Sequence, residues 1–396
     1  MMKAVQFGAG NIGRGFLGQL FYESGYATTF VDVVTDLVQA LNERKSYPLR
    51  IVDDRTYTNT IENVSAVHAG NIDEVAARLA EADFAATAVG VPVMGKIAPL
   101  IAAGIARRFE NTDASPLNII LCENMIEAAP FMREQVRGHL SPAFHNALDT
   151  RVGFVEASIG RMVPVMTDAV KAEDPLLVCV EEYSELPVDA AGFKGPVPPL
   201  KNMKPLANFG AYVERKLFVH NAGHATTAYL GYLRGHETIA DAIRDERVRK
   251  EVDAALNETC SGLVAKHGLE PEALADHAAD LIRRFGNRAL GDQVARVAKD
   301  PIRKLGPRDR LIGSAAMCLA QGIQPKHVAF AAAAAIRYDH PDDAAALSVQ
   351  RTLRERGLQG VLQDICGLAE DSPIAALIQT GMQRLSDEGW IQPPKS

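Results

Sequence analysis

The chain has 396 residues, of which 47% are hydrophobic and 23% are charged, and its formal net charge is −7. This composition is typical of a globular protein of about two domains, and the negative charge argues against nucleic-acid binding through bulk phosphate attraction. No segment approaches the roughly 20 apolar residues that cross a bilayer, and the first residues lead into a strand without a cleavage site. We therefore expect a cytoplasmic protein that binds neither nucleic acid nor membrane.

The first half of the chain alternates strand and helix patterns. Residues 3–7 (KAVQF) predict a strand that is followed by a glycine-rich turn, an amphipathic helical run and a second strand at 27–33 (ATTFVDV). Further apolar segments at 84–91 and 117–124 are separated by helical stretches such as 71–82. This alternation predicts a parallel sheet that is covered by helices on both faces.

The pattern changes after about residue 150. Segments 151–164 and 176–189 predict two more strands around a turn at Pro175, and the Pro- and Gly-rich segment 190–202 is the best candidate for a domain boundary. Beyond about residue 203 the pattern is helical, and the alanine run 329–337 predicts a buried helix. We predict an α/β protein with a Rossmann-type doubly wound parallel sheet in residues 1–195 and a mostly α-helical substrate and catalytic domain in residues 196–396.

The cysteines stand singly and form no C-x-x-C pair, at positions 122, 179, 260, 318 and 366. They indicate neither a disulfide framework nor a zinc knuckle, and we expect reduced, mostly buried thiols. The Cys, His and carboxylate residues also do not cluster at zinc-like spacing. We therefore predict no bound metal.

The turn after the first strand reads GAGNIG, a G-x-G-x-x-G motif between a strand and a helix. Gly8 permits a tight turn, Gly10 lets the backbone approach a pyrophosphate, and Gly13 lets helix and sheet pack closely. Asp32 ends the second strand about 20 residues further on, where its carboxylate can accept hydrogen bonds from ribose hydroxyls. The predicted cofactor-binding residues are Gly8, Ala9, Gly10, Asn11, Ile12, Gly13 and Asp32.

Asp32 also predicts which dinucleotide is bound. A carboxylate at this position repels the 2′-phosphate of NADP, and Val33 and Val34 beside it supply no compensating arginine. We therefore predict NAD as the cofactor.

A second set of residues lies in the helical half, where K-x-x-x-x-N-x-x-H comprises Lys216, Asn221 and His224. In a regular α-helix these side chains spread over an arc of about 140° and a length of about 12 Å, so they line one wall of a pocket without forming a single stripe. We expect Gly223 to loosen or shape the backbone so that some of the contacts can form. His220, in the same stretch, is more typical of a structural histidine.

These residue types suit the oxidation of a secondary alcohol, which needs a base for the hydroxyl proton and donors for the developing alkoxide. Lys216 can be the base only if burial or nearby positive charge lowers its pKa. Asn221 and Asn124, the latter at the end of a predicted parallel strand, are amide donors that can hold the oxygen. Taken singly, a helical lysine is usually a solvated charge, and an asparagine after a strand is usually a turn or cap residue.

Four segments carry a resemblance to a known family: KAVQFGAGNIGRGFLG, SPLNIILCENM, YVERKLFVHNAGHATTAYLG and PIRKLGPRDRLI. From residue 3 to about 370 the chain resembles the polyol-specific long-chain dehydrogenases of the mannitol dehydrogenase family. The resemblance implies metal-independent catalysis with Lys216 as general base, Asn221 and Asn124 as the oxyanion site, and His224 binding substrate and helping to position the lysine. It also implies an acidic residue that assists proton escape, for which the candidates are Glu123 and Glu127.

Two positions depart from the family pattern. Gly160 precedes Arg161 where members often carry an aspartate, so the ion-pair partner of this arginine is expected elsewhere, at Glu156. Arg288 stands where a proline is expected, which could alter a helix start in the second domain.

The resemblance implies reversible NAD-dependent oxidation of D-mannitol 1-phosphate to D-fructose 6-phosphate, with oxidation of a free polyol or a hexonate such as mannonate or altronate as the alternative. We expect a sugar-phosphate partner and a monomer or weak homo-oligomer. An NAD-responsive regulator without catalysis is the alternative of another class, but it has no need for an alkoxide-stabilising set. A phosphate needs two or more cationic donors, and the candidates are Arg161, Arg283, Arg284, Arg303, Lys304, Arg308 and Arg310.

Overall fold

The computed structural model describes residues 1–53, 55–125, 127–164 and 168–391. The chain forms two compact units, Met1–Phe209 (unit 1) and Gly210–Ser396 (unit 2). The boundary predicted after residue 195 lies earlier in the chain than this division. Among the described helices, none combines the length and the apolar character that a membrane span requires.

The strands all lie in unit 1, as far as the described residues show. In chain order they are β1 (Met2–Phe7), β2 (Tyr26–Asp32), β3 (Ser46–Val52), β4 (Thr56–Glu62), β5 (Val64–His68), β6 (Phe84–Thr87), β7 (Leu117–Leu121), β8 (Val152–Glu156), β9 (Val178–Val180), β10 (Leu186–Asp189) and β11 (Met203–Leu206). A six-stranded sheet has the order β5-β2-β1-β6-β7-β8, and all its pairings are parallel. The predicted parallel sheet is confirmed.

Helices connect these strands and cover both faces of the sheet. They are α1 (Gly18–Glu23), α2 (Thr35–Arg44), α3 (Ile72–Glu81), α4 (Val91–Phe109), α5 (Ala128–His139), α6 (His145–Arg151) and α7 (Asp168–Glu173), with a π-helical turn at Gly13–Leu17 and 3₁₀ turns at Pro142–Phe144 and Ala190–Gly192. One hydrophobic cluster packs α3, α4 and α5 against the sheet, and a second packs α1 and the π-helical turn on the opposite face. Both faces are therefore buried, which explains why β6 and β7 are mostly apolar and buried at every position.

The strand order reverses at β1. The chain passes from β1 to β2 and β5 on one side and then returns to β6 on the other side. In such open sheets ligands bind beyond the carboxyl ends of the strands at this switch point. The carboxyl ends of β1 and β6 are therefore the place where the fold favours a nucleotide.

The segment 176–189 differs from the single strand that its sequence predicts. It forms β9, which joins β3 and β4 in a small three-stranded sheet, and β10, which pairs in parallel with β11. Polar residues 181–185 interrupt the apolar pattern between the two short strands.

Unit 2 is helical throughout its described residues. Its helices are α8 (Phe209–Arg215), which begins at the unit boundary, α9 (Ala222–Leu233), α10 (Ile239–Ala242), α11 (Glu246–His267), α12 (Pro271–Phe285), α13 (Val294–Ala298), α14 (Pro301–Lys304), α15 (Ile312–Ala320), α16 (Lys326–Ile336), α17 (Ala344–Asp364) and α18 (Pro373–Asp387). The alanine-rich α16 is buried from Val328 to Ile336, as predicted, and packs against α9, α11 and α18. Its small side chains permit close helix approach.

Three smaller expectations were also resolved. All five cysteines are buried free thiols, as predicted. Arg161 does not pair with Glu156: its guanidinium donates to the backbone carbonyls of Glu181 and Gly15 and to Gln19 Oε1, at 2.7–3.1 Å. Arg288 begins a short 3₁₀ turn and forms an exposed ion pair with Asp241.

Candidate active site

The glycine turn lies at the carboxyl end of β1, and each glycine has a distinct steric environment. Gly8 has φ +91°, and a Cβ there would lie 2.5 Å from the Ala88 carbonyl oxygen beyond β6. A Cβ at Gly13 would lie 1.9 Å from the Gly8 carbonyl oxygen. Around Gly10, by contrast, no atom from another part of the chain lies within 4 Å of the Cβ position, and the residue is exposed. Gly8 and Gly13 are thus required by the packing of the turn, whereas the space beside Gly10 is open to a ligand.

Arg14 stabilises this turn through hydrogen bonds, a role that was not predicted from the sequence. Its Nε donates to the Ala9 carbonyl at 2.6 Å and its Nη1 to the Leu176 carbonyl at 2.5 Å, and the residue is buried. Tyr47 donates its hydroxyl to the Arg14 carbonyl at 2.7 Å. A charged residue between glycines at the start of an apolar helix was the available signal.

Asp32 ends β2 beside the turn. Its Oδ2 accepts a hydrogen bond from the Ala9 backbone amide at 2.7 Å, and its Oδ1 accepts one from the Val34 amide at 3.0 Å. Each carboxylate oxygen therefore keeps acceptor capacity for a further donor. The open space at Gly10 and this oriented carboxylate fit the pyrophosphate and ribose of a dinucleotide.

Asn124 follows β7 in unit 1, and its side chain is exposed. The neighbouring Glu123 is buried and accepts hydrogen bonds from Thr87 Oγ1 at 2.6 Å and the Val89 amide at 2.9 Å, which ties the ends of β6 and β7 together. Glu127 is exposed and precedes α5 as its N-cap residue, in the left-handed conformation with φ 58°. Of the two acidic candidates, Glu123 is thus engaged in the sheet and Glu127 faces solvent.

In unit 2, Lys216 and Asn221 begin and end a π-helical segment, Lys216–Asn221, that continues into α9. The Ala222 amide donates to the Leu217 carbonyl five residues earlier, the i→i+5 bond of this winding. In a π-helix, with about 4.4 residues per turn, residues five apart differ by about 50° around the axis, whereas an α-helix would separate them by about 140°. The π-helical winding therefore aligns Lys216 with Asn221.

His224 follows three residues after Asn221 and so continues the same face. The arc that these side chains span is therefore smaller than the one that a regular α-helix predicts. Gly223 does not cause this difference, because it lies beyond the π-helical segment. A Cβ at Gly223 would lie 2.9 Å from Leu256 Cδ2, so this glycine instead allows α9 to approach α11 closely.

Lys216 is only partly exposed. Burial, together with the positive charge of Arg310, lowers the pKa of Lys216 to about 8. At pH 7 an amine with this pKa is neutral in roughly a tenth of the molecules, and the neutral form can accept a proton. The electrostatic condition for a lysine base is met within unit 2.

His224 is fixed by two neighbours. Its ring stacks on Phe285 with a centroid distance of 4.8 Å and an interplanar angle of 10°. Its Nε2 lies 3.0 Å from Asp292 Oδ2. Neither neighbour can be predicted from the local sequence, because they come from α12 and a loop about 60 to 70 residues away in the chain.

His220 is buried and lies at 6.0 Å from Phe285 and 6.3 Å from His224, measured between ring centroids. Burial, with the positive charge of Arg284, lowers the pKa of His220 well below its ordinary value. The ring is therefore neutral and packs as a structural side chain.

The structure thus brings the predicted residues together in two groups. The glycine turn, Asp32 and Asn124 belong to unit 1, and Lys216, Asn221 and His224 belong to unit 2. Within the described ranges, no group of three or more His, Cys, Asp or Glu residues has an arrangement that could hold a metal ion.

Comparisons of the sequence with known proteins identify both parts of the chain. Residues 2–202 match the mannitol dehydrogenase Rossmann domain, and residues 208–382 match the mannitol dehydrogenase C-terminal domain. Mannitol-1-phosphate 5-dehydrogenase of Brevibacillus brevis is 39% identical over 98% of this chain and 99% of its own length. The protein of the same name from Bacillus subtilis is 41% identical over 95% and 98%.

Solved structures show the same fold at low sequence identity. Pseudomonas fluorescens mannitol 2-dehydrogenase, in ternary complex with NAD and D-mannitol, has a TM-score of 0.75 at 17% identity and covers 98% of this chain and 92% of its own. A substrate-free D-sorbitol dehydrogenase has a TM-score of 0.82 at 14% identity, with 98% and 94% covered. The chain belongs to the mannitol dehydrogenase family and is an NAD-dependent oxidoreductase.

Proposed function

We propose that this enzyme catalyses the reversible oxidation of D-mannitol 1-phosphate to D-fructose 6-phosphate with NAD, without a metal and with Lys216 as the general base. The observation that carries the proposal is the π-helical segment, which aligns a lysine of pKa about 8 with Asn221 and His224. The substrate is supported by relatives named mannitol-1-phosphate 5-dehydrogenase at 39–41% identity over nearly their full length.

Bound NAD supplies the acceptor for the hydride that leaves the alcohol carbon. Lys216 Nζ takes the hydroxyl proton as the carbon–oxygen bond becomes a carbonyl. The side-chain amides of Asn221 and Asn124 donate to the oxygen as negative charge develops on it. His224, held by Phe285 and Asp292, binds substrate and helps to position the lysine.

Unit 1 contributes the dinucleotide site in this proposal. The backbone amides of Gly10, Asn11, Ile12 and Gly13 face the phosphates. Gly8 makes the turn, and the Ala9 amide donates to the Asp32 carboxylate. Asp32 accepts hydrogen bonds from the adenosine ribose. Proton escape is assigned to an acidic residue, with Glu123 and Glu127 as the two candidates.

The phosphate of the substrate distinguishes this reaction from oxidation of a free polyol or hexonate. Arg161 is not a candidate for binding the phosphate, because it is buried in unit 1 and its guanidinium donates to backbone carbonyls and to a side-chain amide oxygen. Lys304 is also buried, and burial with the charges of Arg310 and Arg303 lowers its pKa to about 7. Arg310 is the candidate whose charge acts on Lys216, and it pairs with Asp309 at 2.7 Å.

The proposed function is tested by measuring NADH formation with mannitol 1-phosphate, mannitol, mannonate and altronate in parallel. We expect mannitol 1-phosphate to give the highest kcat/KM, and the rate to persist after prolonged treatment with a chelator. A preference for mannonate or altronate would reassign the substrate. Loss of activity on chelation with recovery in zinc would contradict the metal-independent mechanism.

Cofactor choice gives a separate prediction. Because Asp32 repels a 2′-phosphate and accepts from a 2′-hydroxyl, NAD should exceed NADP in kcat/KM by at least about tenfold, roughly 1.4 kcal/mol. Asp32→Asn should reduce this ratio, whereas Asp36→Asn, which changes a carboxylate in the first turn of α2, should not. Equal use of both cofactors by the unaltered enzyme would refute the assignment.

A further inference from the structure

The two valine side chains that follow β2 do not anchor the loop. Val33 and Val34 follow the last residue of β2 and are 70% and 52% exposed. Val34 precedes α2 without a side-chain cap. Since neither valine is buried, hydrogen bonds of the backbone must determine where this loop lies.

His68 supplies such a bond from the neighbouring strand. It ends β5 directly opposite Asp32 in the parallel register, and its Nε2 lies 3.0 Å from the Val33 carbonyl oxygen. The Gly70 amide donates to His68 Nδ1 at 3.1 Å. Because Nδ1 accepts, the proton is on Nε2, and the ring donates to Val33.

The surrounding backbone accommodates this ring closely. A Cβ at Gly70 would lie 3.0 Å from His68 Nδ1, so the glycine lets the chain turn tightly against the imidazole. The Ala69 amide donates to the Asp32 carbonyl at 2.9 Å. The loops after β2 and β5 are therefore joined both through the backbone and through His68.

We propose that His68 is a positioning residue for cofactor recognition: by fixing the Val33 carbonyl it holds the Val34 amide, which orients the Asp32 carboxylate toward the adenosine ribose of NAD. The link from Val34 to Asp32 is the 3.0 Å hydrogen bond to Oδ1. The inference rests on the proposed ribose-binding role of Asp32. Loss of the imidazole removes the restraint on the Val33–Val34 peptide, so that of the two amides that orient the carboxylate the Val34 amide is held less firmly.

The test compares His68→Ala, His68→Gln and His68→Asn in the enzyme of 396 residues. His68→Ala should raise the Kd for NADH and the KM for NAD about three- to tenfold, as expected for loss of one partly exposed hydrogen bond, and should lower the NAD over NADP preference. Turnover at saturating NAD and the KM for the alcohol should not change. NADH binding, followed by its fluorescence, makes the result independent of which polyol is oxidised.

The two polar variants separate the ring's functions. The glutamine amide nitrogen replaces Nε2 and should restore NAD affinity, whereas the asparagine oxygen replaces only Nδ1 and should not. Recovery by asparagine but not by glutamine would overturn the inference, as would unaltered NADH binding in His68→Ala. If Asp32→Asn changes the cofactor preference and His68→Ala does not, the role of His68 is rejected and that of Asp32 stands. If neither variant changes the preference, the proposed role of Asp32 is rejected.

Discussion

Replacement of Lys216 by alanine is expected to lower turnover by at least about 100-fold, the contribution usually made by a positioned general base. Removal of the amine takes away the acceptor of the hydroxyl proton. The Kd for NAD should change little, because the residues proposed to bind the dinucleotide lie in unit 1. Steady-state rates with direct titration of NADH measure both quantities.

The matched control is Lys266→Ala. Lys266 is another helical lysine of unit 2, and its Nζ forms an ion pair with Glu214 at 2.7 Å. An exposed pair of this kind contributes little to stability, so turnover in this variant should stay close to that of the unaltered enzyme. A phosphate-anchoring role for Lys216 would instead raise the KM for mannitol 1-phosphate and spare turnover at saturation, and that result would reject the catalytic assignment.

The pH profile gives a second measurement on the same variant. Only the neutral amine accepts a proton, so the oxidation rate should rise with pH and level off above the lysine pKa of about 8. Reduction of the ketone uses the protonated amine, so its rate should fall over the same range. Both titrations should disappear in Lys216→Ala. A profile that is unchanged in the variant would mean that another group titrates.

How far the sequence predicts the fold depends on the range of the interactions. The strands β1, β2, β6 and β7 and helix α3 follow from local apolar patterns, and the glycine turn follows from spacing alone. The sequence 176–189 reads as one strand because short apolar runs do not reveal which sheet they join. The pairing of β9 with β3 and of β10 with β11 shows that the apolar runs on the two sides of residues 181–185 belong to different sheets.

The candidate site shows the same division. Lys216, Asn221 and His224 could be selected from the sequence, but their alignment could not, since helical periodicity assumes α-helical winding and the segment is π-helical. Arg161 is the reverse case: its sequence suggests a phosphate ligand, but the structure shows it hydrogen-bonded to buried carbonyls. The number of arginines in the sequence cannot distinguish these two functions. Partners that are distant in sequence, such as Asp292 of His224, are visible only in the structure.

The second large effect is expected at the glycine turn, where two alanine substitutions should have different consequences. A Cβ at Gly13 meets the Gly8 carbonyl oxygen at 1.9 Å and its carbon at 3.0 Å. Gly8 cannot easily move, because its amide donates to the Val31 carbonyl at 2.8 Å and its own Cβ position lies 2.5 Å from Ala88 O. Gly13→Ala should therefore lower the free energy of unfolding by about 2 kcal/mol or more and abolish NADH binding.

At Gly10 the added methyl group meets no atom from another part of the chain within 4 Å, and φ is not positive, so Gly10→Ala should keep the Tm of the unaltered enzyme. The methyl group instead occupies the space through which the pyrophosphate approaches the backbone, which should weaken NADH binding about 10- to 100-fold. Gly138→Ala in α5 is the matched control, since it also meets open space but lies away from the turn.

Thermal unfolding and NADH titration of the three variants separate folding from binding. Unweakened NADH binding by Gly10→Ala would show that the pyrophosphate does not contact this turn, whereas a fall in Tm as large as that of Gly13→Ala would show that Gly10 serves the fold.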